Sequence, residues 1–167
     1  MDIKKLDKKT ISDAWFLIQE SSLWLNNQGM DHWIDNYNEE GVRHKLEAGE
    51  VYCIYEQDIP VATVSISKIA PDYYDEEDLI QFNQEYNEKA IWVSALCVSP
   101  KYHGKGYAKA LLRFVEKYSI ENGYKSLRFD ARKRHTKLIE FYNKQGYSEI
   151  GLMNDDGEKF SLFEKIV

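Results

Sequence analysis

Apolar positions recur at helical spacing near the start of the chain and switch to strand spacing later. From Thr10 to about Asn26, Trp15, Ile18, Leu25 and their neighbours recur at helical spacing, which predicts a helix. Thr10 followed by Asp13 resembles a capping box at its start, and Gly29 stops it. Residues 2–6 before it read as a short strand, and "GMDHWIDNY" after it has no clear period. Asn38 caps a second predicted helix that carries Glu39 and Glu40 in its first turn and ends near Gly49. Residues 51–56 and 59–68 then alternate apolar and polar side chains around "QD", the pattern of an antiparallel hairpin.

The second half alternates strands with helices. Residues 91–98 predict a strand, 106–122 a helix closed by Gly123, 125–130 a strand, and 135–145 a helix stopped by Gly146. Strands at 147–150 and 160–166 flank an "NDDG" turn signal. Between the hairpin and residue 91 lies "APDYYDEEDLIQFNQEYNEKA", too long for a structureless loop in a compact domain, so it carries a short helix or covers a site. This order predicts an α/β chain with a parallel crossover in its second half, organised as a single domain over residues 1–167.

Charge and cysteine usage narrow the partners. A formal net charge of −6 argues against a nucleic-acid surface. Cys53 and Cys97 each sit in an apolar run and read as reduced core thiols, with no spacing that suggests a metal site. The N-terminal lysines are followed by no continuous apolar stretch, so neither a secretory signal nor a membrane span is expected, and the expected compartment is the cytoplasm.

The densest chemistry lies in "HGKGYA", residues 103–108, between a predicted strand and a predicted helix. Amides at the start of a helix have no intrahelical acceptor and sit at the positive end of its dipole, which suits an anion. Gly104 and Gly106 allow close approach or positive φ, and Lys105 and Lys109 add positive charge. The turn matches neither a GxxxxGK[ST] phosphate loop nor the dinucleotide fingerprint, whose third small residue is replaced here by Lys109. A tight turn with glycines for geometry alone is the plain alternative.

"ALCVSPKYHGKGYAKALL" resembles the signature of the GCN5-related N-acetyltransferases: Arg or Gln, two residues, Gly, one residue, then Gly or Ala. That frame falls on His103, Gly106 and Ala108. "LIEFYNKQGY" is similar to the second motif of the same family, so the resemblance covers most of the second half. Two positions depart from the pattern: His103 stands for the usual Arg or Gln, and His135 for a frequent asparagine.

The resemblance implies the acyl-CoA N-acyltransferase fold, a mixed and strongly twisted sheet of about six to seven strands flanked by about four helices. It implies acetyl-CoA as co-substrate with no metal. It places the cofactor on Leu96, Cys97 and Val98 of the strand and on His103, Gly104, Lys105, Gly106, Tyr107, Ala108 and Lys109 of the turn, with His135 nearby. Arg132 in "DARKRH" is a further candidate for the phosphates. Tyr142 falls where the family commonly places the acid that protonates the leaving thiolate. Cys97 reads as a small core residue contacted through its main chain, because no base accompanies it in the sequence.

By the same resemblance the first two helices and the acidic loop shape the acceptor side. Trp24, Trp33 and Tyr73 offer flat faces there, and the carboxylates of residues 72–78 favour a cationic amine, although such residues also serve as plain core and solvated surface. Asp130, His32 and a glutamate of the acidic loop are candidates for the base, with none separated from the others. The expected partner is a small-molecule or peptide amine, without nucleic acid or membrane, and a homodimer through the late strands stays open. A CoA-binding sensor or docking module without turnover is the alternative function, and a nucleotide in the same turn is another.

Overall fold

The computed structural model describes residues Met1–Val167. Seven strands form one sheet in the order β1-β2-β3-β4-β5-β7-β6, and the chain divides into two compact units. No helix is long and apolar enough to cross a membrane.

The first unit comprises Met1–Ser67 and Ser94–Val115. In it β1 (Asp2–Lys5), β2 (Gly49–Glu56) and β3 (Ile59–Ser67) pair antiparallel, with Ile3 opposite Ile54 and Cys53 opposite Thr63. The predicted hairpin turns on Gln57 and Asp58, both at positive φ (48° and 65°), the backbone sense that matches the twist of the flanking strands. Helix α1 (Ile11–Asn27) and α3 (Glu39–Ala48) lie where the pattern places them, and α2 (His32–Asn36) is a single turn that the pattern misses. Asn38 Oδ1 accepts from Gly41 N at 2.8 Å, as a helix cap should. The expected Thr10 capping box is not formed. Instead Asp7 Oδ1 accepts from the amides of Lys9 (2.8 Å) and Thr10 (3.0 Å), and Thr10 Oγ1 accepts from Asp7 N, so the cap lies one turn earlier.

Ile11, Leu17 and Ile18 of α1 and Val42 of α3 form the core of this unit against Val51, Cys53, Ala95 and Cys97. Ala95 carries φ 51° inside β4 (Ala90–Val98). Ser94 meets Lys45 of α3, while Ala95 and Cys97 join the same helical layer. Side chains of a regular strand alternate between faces, so consecutive residues 94 and 95 reach one layer only because the backbone kinks at Ala95.

The second unit comprises Lys68–Val93 and Glu116–Val167. Here β4 runs parallel to β5 (Ser126–Arg132), Ile91 opposite Leu127, which is the expected crossover. Strand β7 (Glu158–Ile166) lies antiparallel between β5 and the edge strand β6 (Ser148–Asp155). The acidic segment carries α4 (Glu76–Leu79) and a 3₁₀ turn, Gln84–Lys89. Its charges serve this local structure: Asp75 and Asp78 each accept from the other's amide across α4. Arg128 of β5, only 2% exposed, anchors the segment by donating to Asn83 O (2.6 Å), Asn87 Oδ1 (2.8 Å) and Glu164 Oε1 (3.0 Å). At the sheet edge the Gln81 side-chain amide exchanges two 3.0 Å bonds with the backbone of Leu152. It approaches so closely that a Cβ on Gly151 would lie 1.9 Å from its Oε1.

Candidate active site

In the first unit the strand β4 gives way to a 3₁₀ turn, Pro100–Tyr102, then the glycine-rich turn, then α5 (Tyr107–Glu121). Gly104 and Gly106 have φ 78° and 86°, where a side chain is disfavoured. The first intrahelical bond of α5 runs from Ala110 N to Gly106 O at 3.0 Å, so the amides of Tyr107, Ala108 and Lys109 precede any carbonyl the helix can offer. The Tyr107 ring is buried edge-on to Tyr102, which anchors the helix start and leaves that residue only its main chain to offer. Lys109 is exposed, and the Lys105 ammonium lies 4.6 Å from the Tyr102 ring centre.

His103 holds the turn together. Its Nε2 lies 3.0 Å from the carbonyl of Val98 and so carries the proton, and its ring meets Trp24 edge-on at 4.9 Å. Trp24 therefore supports the turn, whereas Trp33 packs with Tyr37 on the core between α1 and α3. Leu96 and Val98 are half-buried in β4 on either side of buried Cys97. Burial pushes the Cys97 thiol up to about 12, opposed by a hydrogen bond with Ser21, so it is held as a neutral thiol.

In the second unit Tyr142 of α6 (Thr136–Lys144) is buried among aromatic rings, 4.5 Å from Phe129 and 5.4 Å from Phe163 between centres. His135, half-buried just before α6, is held below the ordinary histidine range by burial and by the Lys137 charge. Arg132, the further candidate for the phosphates, is the last residue of β5. It is 3% exposed and its guanidinium forks onto Glu158, with Nη2 2.7 Å and Nε 3.2 Å from the two carboxylate oxygens. Arg134 beside it is exposed and 3.5 Å from the same carboxylate.

The same unit joins three residues that the sequence treats separately. Tyr73 Oη donates to Asp130 Oδ1 at 2.9 Å, and Tyr74 Oη donates to the same oxygen. Tyr74 is buried against Trp92 and Phe82, and Tyr73 is 55% exposed. Burial raises the Asp130 carboxyl above the ordinary aspartate range against the pull of both hydroxyls.

A model of the acetyltransferase (GNAT) family matches residues 15–147. The chain belongs to the GNAT acetyltransferase family. It is 23% identical to the uncharacterized N-acetyltransferase YesJ of Bacillus subtilis (strain 168), over 96% of this chain and 95% of that protein. Its fold is similar to that of a GNAT-family acetyltransferase from Listeria monocytogenes 4b F2365 (TM-score 0.78, 20% identity, 99% of this chain and 94% of that one). It is similar again to the PaiA N-acetyltransferase from Thermoplasma acidophilum, solved in complex with coenzyme A (TM-score 0.74, 18% identity, 99% and 98%).

Within this GNAT chain, sequence reasoning picked out the turn and its glycines but missed two partnerships. Glu158 sits 26 residues from Arg132, and Asp130 lies 57 and 56 residues from its two tyrosines. The aromatic pair and the strand-end carboxylate were each visible, yet no local pattern links them.

Proposed function

We propose that the chain acts as one N-acetyltransferase domain that moves an acetyl group from acetyl-CoA to a primary amine, by direct attack in a ternary complex. The observation that carries this reading is the turn itself. Two positive-φ glycines, open space where their side chains would stand, and three helix-start amides form a cradle for a diphosphate in the family's own frame. In this reading the amides of residues 107–109 hold the phosphates, with Lys105 and Lys109 contributing long-range attraction. His103, through its bond to the Val98 carbonyl, keeps the turn in register with the strand.

The bound thioester supplies an activated acetyl group: a C–N bond forms as a C–S bond breaks, giving an amide and a free thiol. The main chain of Leu96, Cys97 and Val98 aligns the acyl arm and offers an N–H to the developing negative charge. Cys97 takes no covalent part, since its thiol is neutral and buried. Tyr142 holds at its Oη the proton that the leaving sulfur takes, and the proton that the attacking nitrogen sheds on becoming an amide balances it.

Calorimetry with CoA and with ATP, followed by a thiol-release assay over an amine panel, tests the reading. Binding of CoA in preference to ATP with thiol release supports it. CoA binding without release from any amine replaces it with the sensor function, and no CoA binding removes both. Tyr142→Phe is expected to lower kcat about a hundredfold with little change in the KM for acetyl-CoA.

A further inference from the structure

Lys45 is a half-buried cation that the proposed chemistry does not use. It projects from α3 with its ammonium 3.0 Å from Ser94 Oγ and 5.4 Å from the Tyr37 ring centre, and no carboxylate pairs with it. Burial pulls its pKa below the ordinary lysine value. A cation partly withdrawn from water without a counter-ion is costly. A hydroxyl and an aromatic face orient the ammonium but do not neutralise it.

Its position is informative. Ser94 stands immediately before the kink at Ala95, two residues before the main chain of Leu96 that the acetyl-transfer reading assigns to the acyl arm. Two strand residues span about 7 Å. On the helix α1 of the same unit, Glu20 Oε2 is buried with no hydrogen-bond donor, and the charge of Glu20 is felt at Cys97. The layer of side chains over residues 94–97 thus contains a cation without an anion and a carboxylate oxygen without a donor.

The geometry points to an acceptor that carries a carboxylate as well as its amine, with the carboxylate on Lys45 and Ser94 and the amine N–H donating to Glu20. This rests on the acetyl-transfer reading for the position of the acyl arm. A ligand of this class completes both half-made interactions, whereas a purely cationic amine would meet the Lys45 charge unscreened. The acid-rich segment, which suggested a cationic acceptor, has Asp75 and Asp78 engaged in capping α4.

The test compares matched pairs, amino acids against their carboxamides, for thiol release with acetyl-CoA, and their N-acetyl products for binding to the CoA-loaded protein by calorimetry. Wild-type protein is expected to favour the carboxylate member by about ten- to hundredfold, the range of a charge-assisted hydrogen bond. In Lys45→Met the ratio should fall to near unity, and Lys45→Arg should restore part of it. Melting curves confirm that each variant is folded. A wild-type preference for carboxamides or none at all, or a ratio unchanged in Lys45→Met, overturns the inference. If carboxylates bind through Lys45 but no amine releases thiol, the anion site stands and the acetyl-transfer reading fails.

Discussion

The Tyr74 hydroxyl donates to the carboxylate of Asp130, and burial moves both groups away from their charged forms. A carboxyl whose pKa is raised in the folded protein binds its proton more tightly there than in the unfolded chain. Its contribution to stability is therefore greatest at low pH and is lost as pH rises through the folded value. At neutral pH, where the unfolded carboxyl is ionised, holding Asp130 in this site is a net cost. Asp130→Asn keeps an acceptor oxygen for the two tyrosines and removes the charge, so it should melt a few degrees higher than wild type at pH 7. The gap should close as pH falls below about 4. A variant that melts lower at pH 7, with a gap that widens toward neutrality, would contradict the assignment.

Both cysteines are buried, and burial pushes each thiol up to about 12. The thiolate is the reactive form, so neither is expected to react with a disulfide reagent at pH 7.5 in the native protein, while both react in denaturant. Mass spectrometry after incubation with acetyl-CoA should find no acetyl group on Cys97. Rapid labelling of Cys97 in the folded state would reopen the question of a thiol role.

Arg128 and Glu164 form an ion pair with side chains 2% and 7% exposed, and the same guanidinium is seated over the rings of Phe82 and Trp92. Removing one member of such a pair leaves an uncompensated buried charge and costs about 3–5 kcal/mol. Arg128→Met should lower the denaturant midpoint accordingly, and the double variant Arg128→Met, Glu164→Leu should recover part of the loss. Equal midpoints for Arg128→Met and wild type would show that the pair is not anchoring the segment.

At Gly106, with φ 86°, an alanine has space but the wrong backbone preference, a cost of about 1–2 kcal/mol. Relaxing that strain turns the helix-start amides, so Gly106→Ala should weaken CoA binding about tenfold with only a modest fall in Tm. Calorimetry on the two proteins decides it. Unchanged affinity would mean that the turn geometry is not what holds the phosphates.

The elements that the sequence made legible are those whose signals are local. The β2–β3 hairpin follows from alternation around Gln57 and Asp58, and α3 from Asn38 followed by two glutamates. Where the pattern failed, a neighbour in space had replaced a neighbour in sequence. Thr10 looked like a cap because its side chain is of the right kind, but Asp7 supplies the acceptor. Strand β6 runs on to Asp155 rather than stopping near Ile150, because pairing with β7 carries a poorly alternating edge strand past a register shift between Glu149 and Gly151. The turn of the site was readable for the same reason as the hairpin. Its long-range supports, Glu158 for Arg132 and Asp130 for two tyrosines, were not.

Because a β5 arginine fastens the excursion after β3, that excursion is not a free-standing cassette. Anyone grafting residues 70–89 from a relative into this scaffold would have to transplant Arg128 and Glu164, or their counterparts, together with the loop. Natural divergence of the segment meets the same requirement, so its changes should arrive in company with changes on two distant strands.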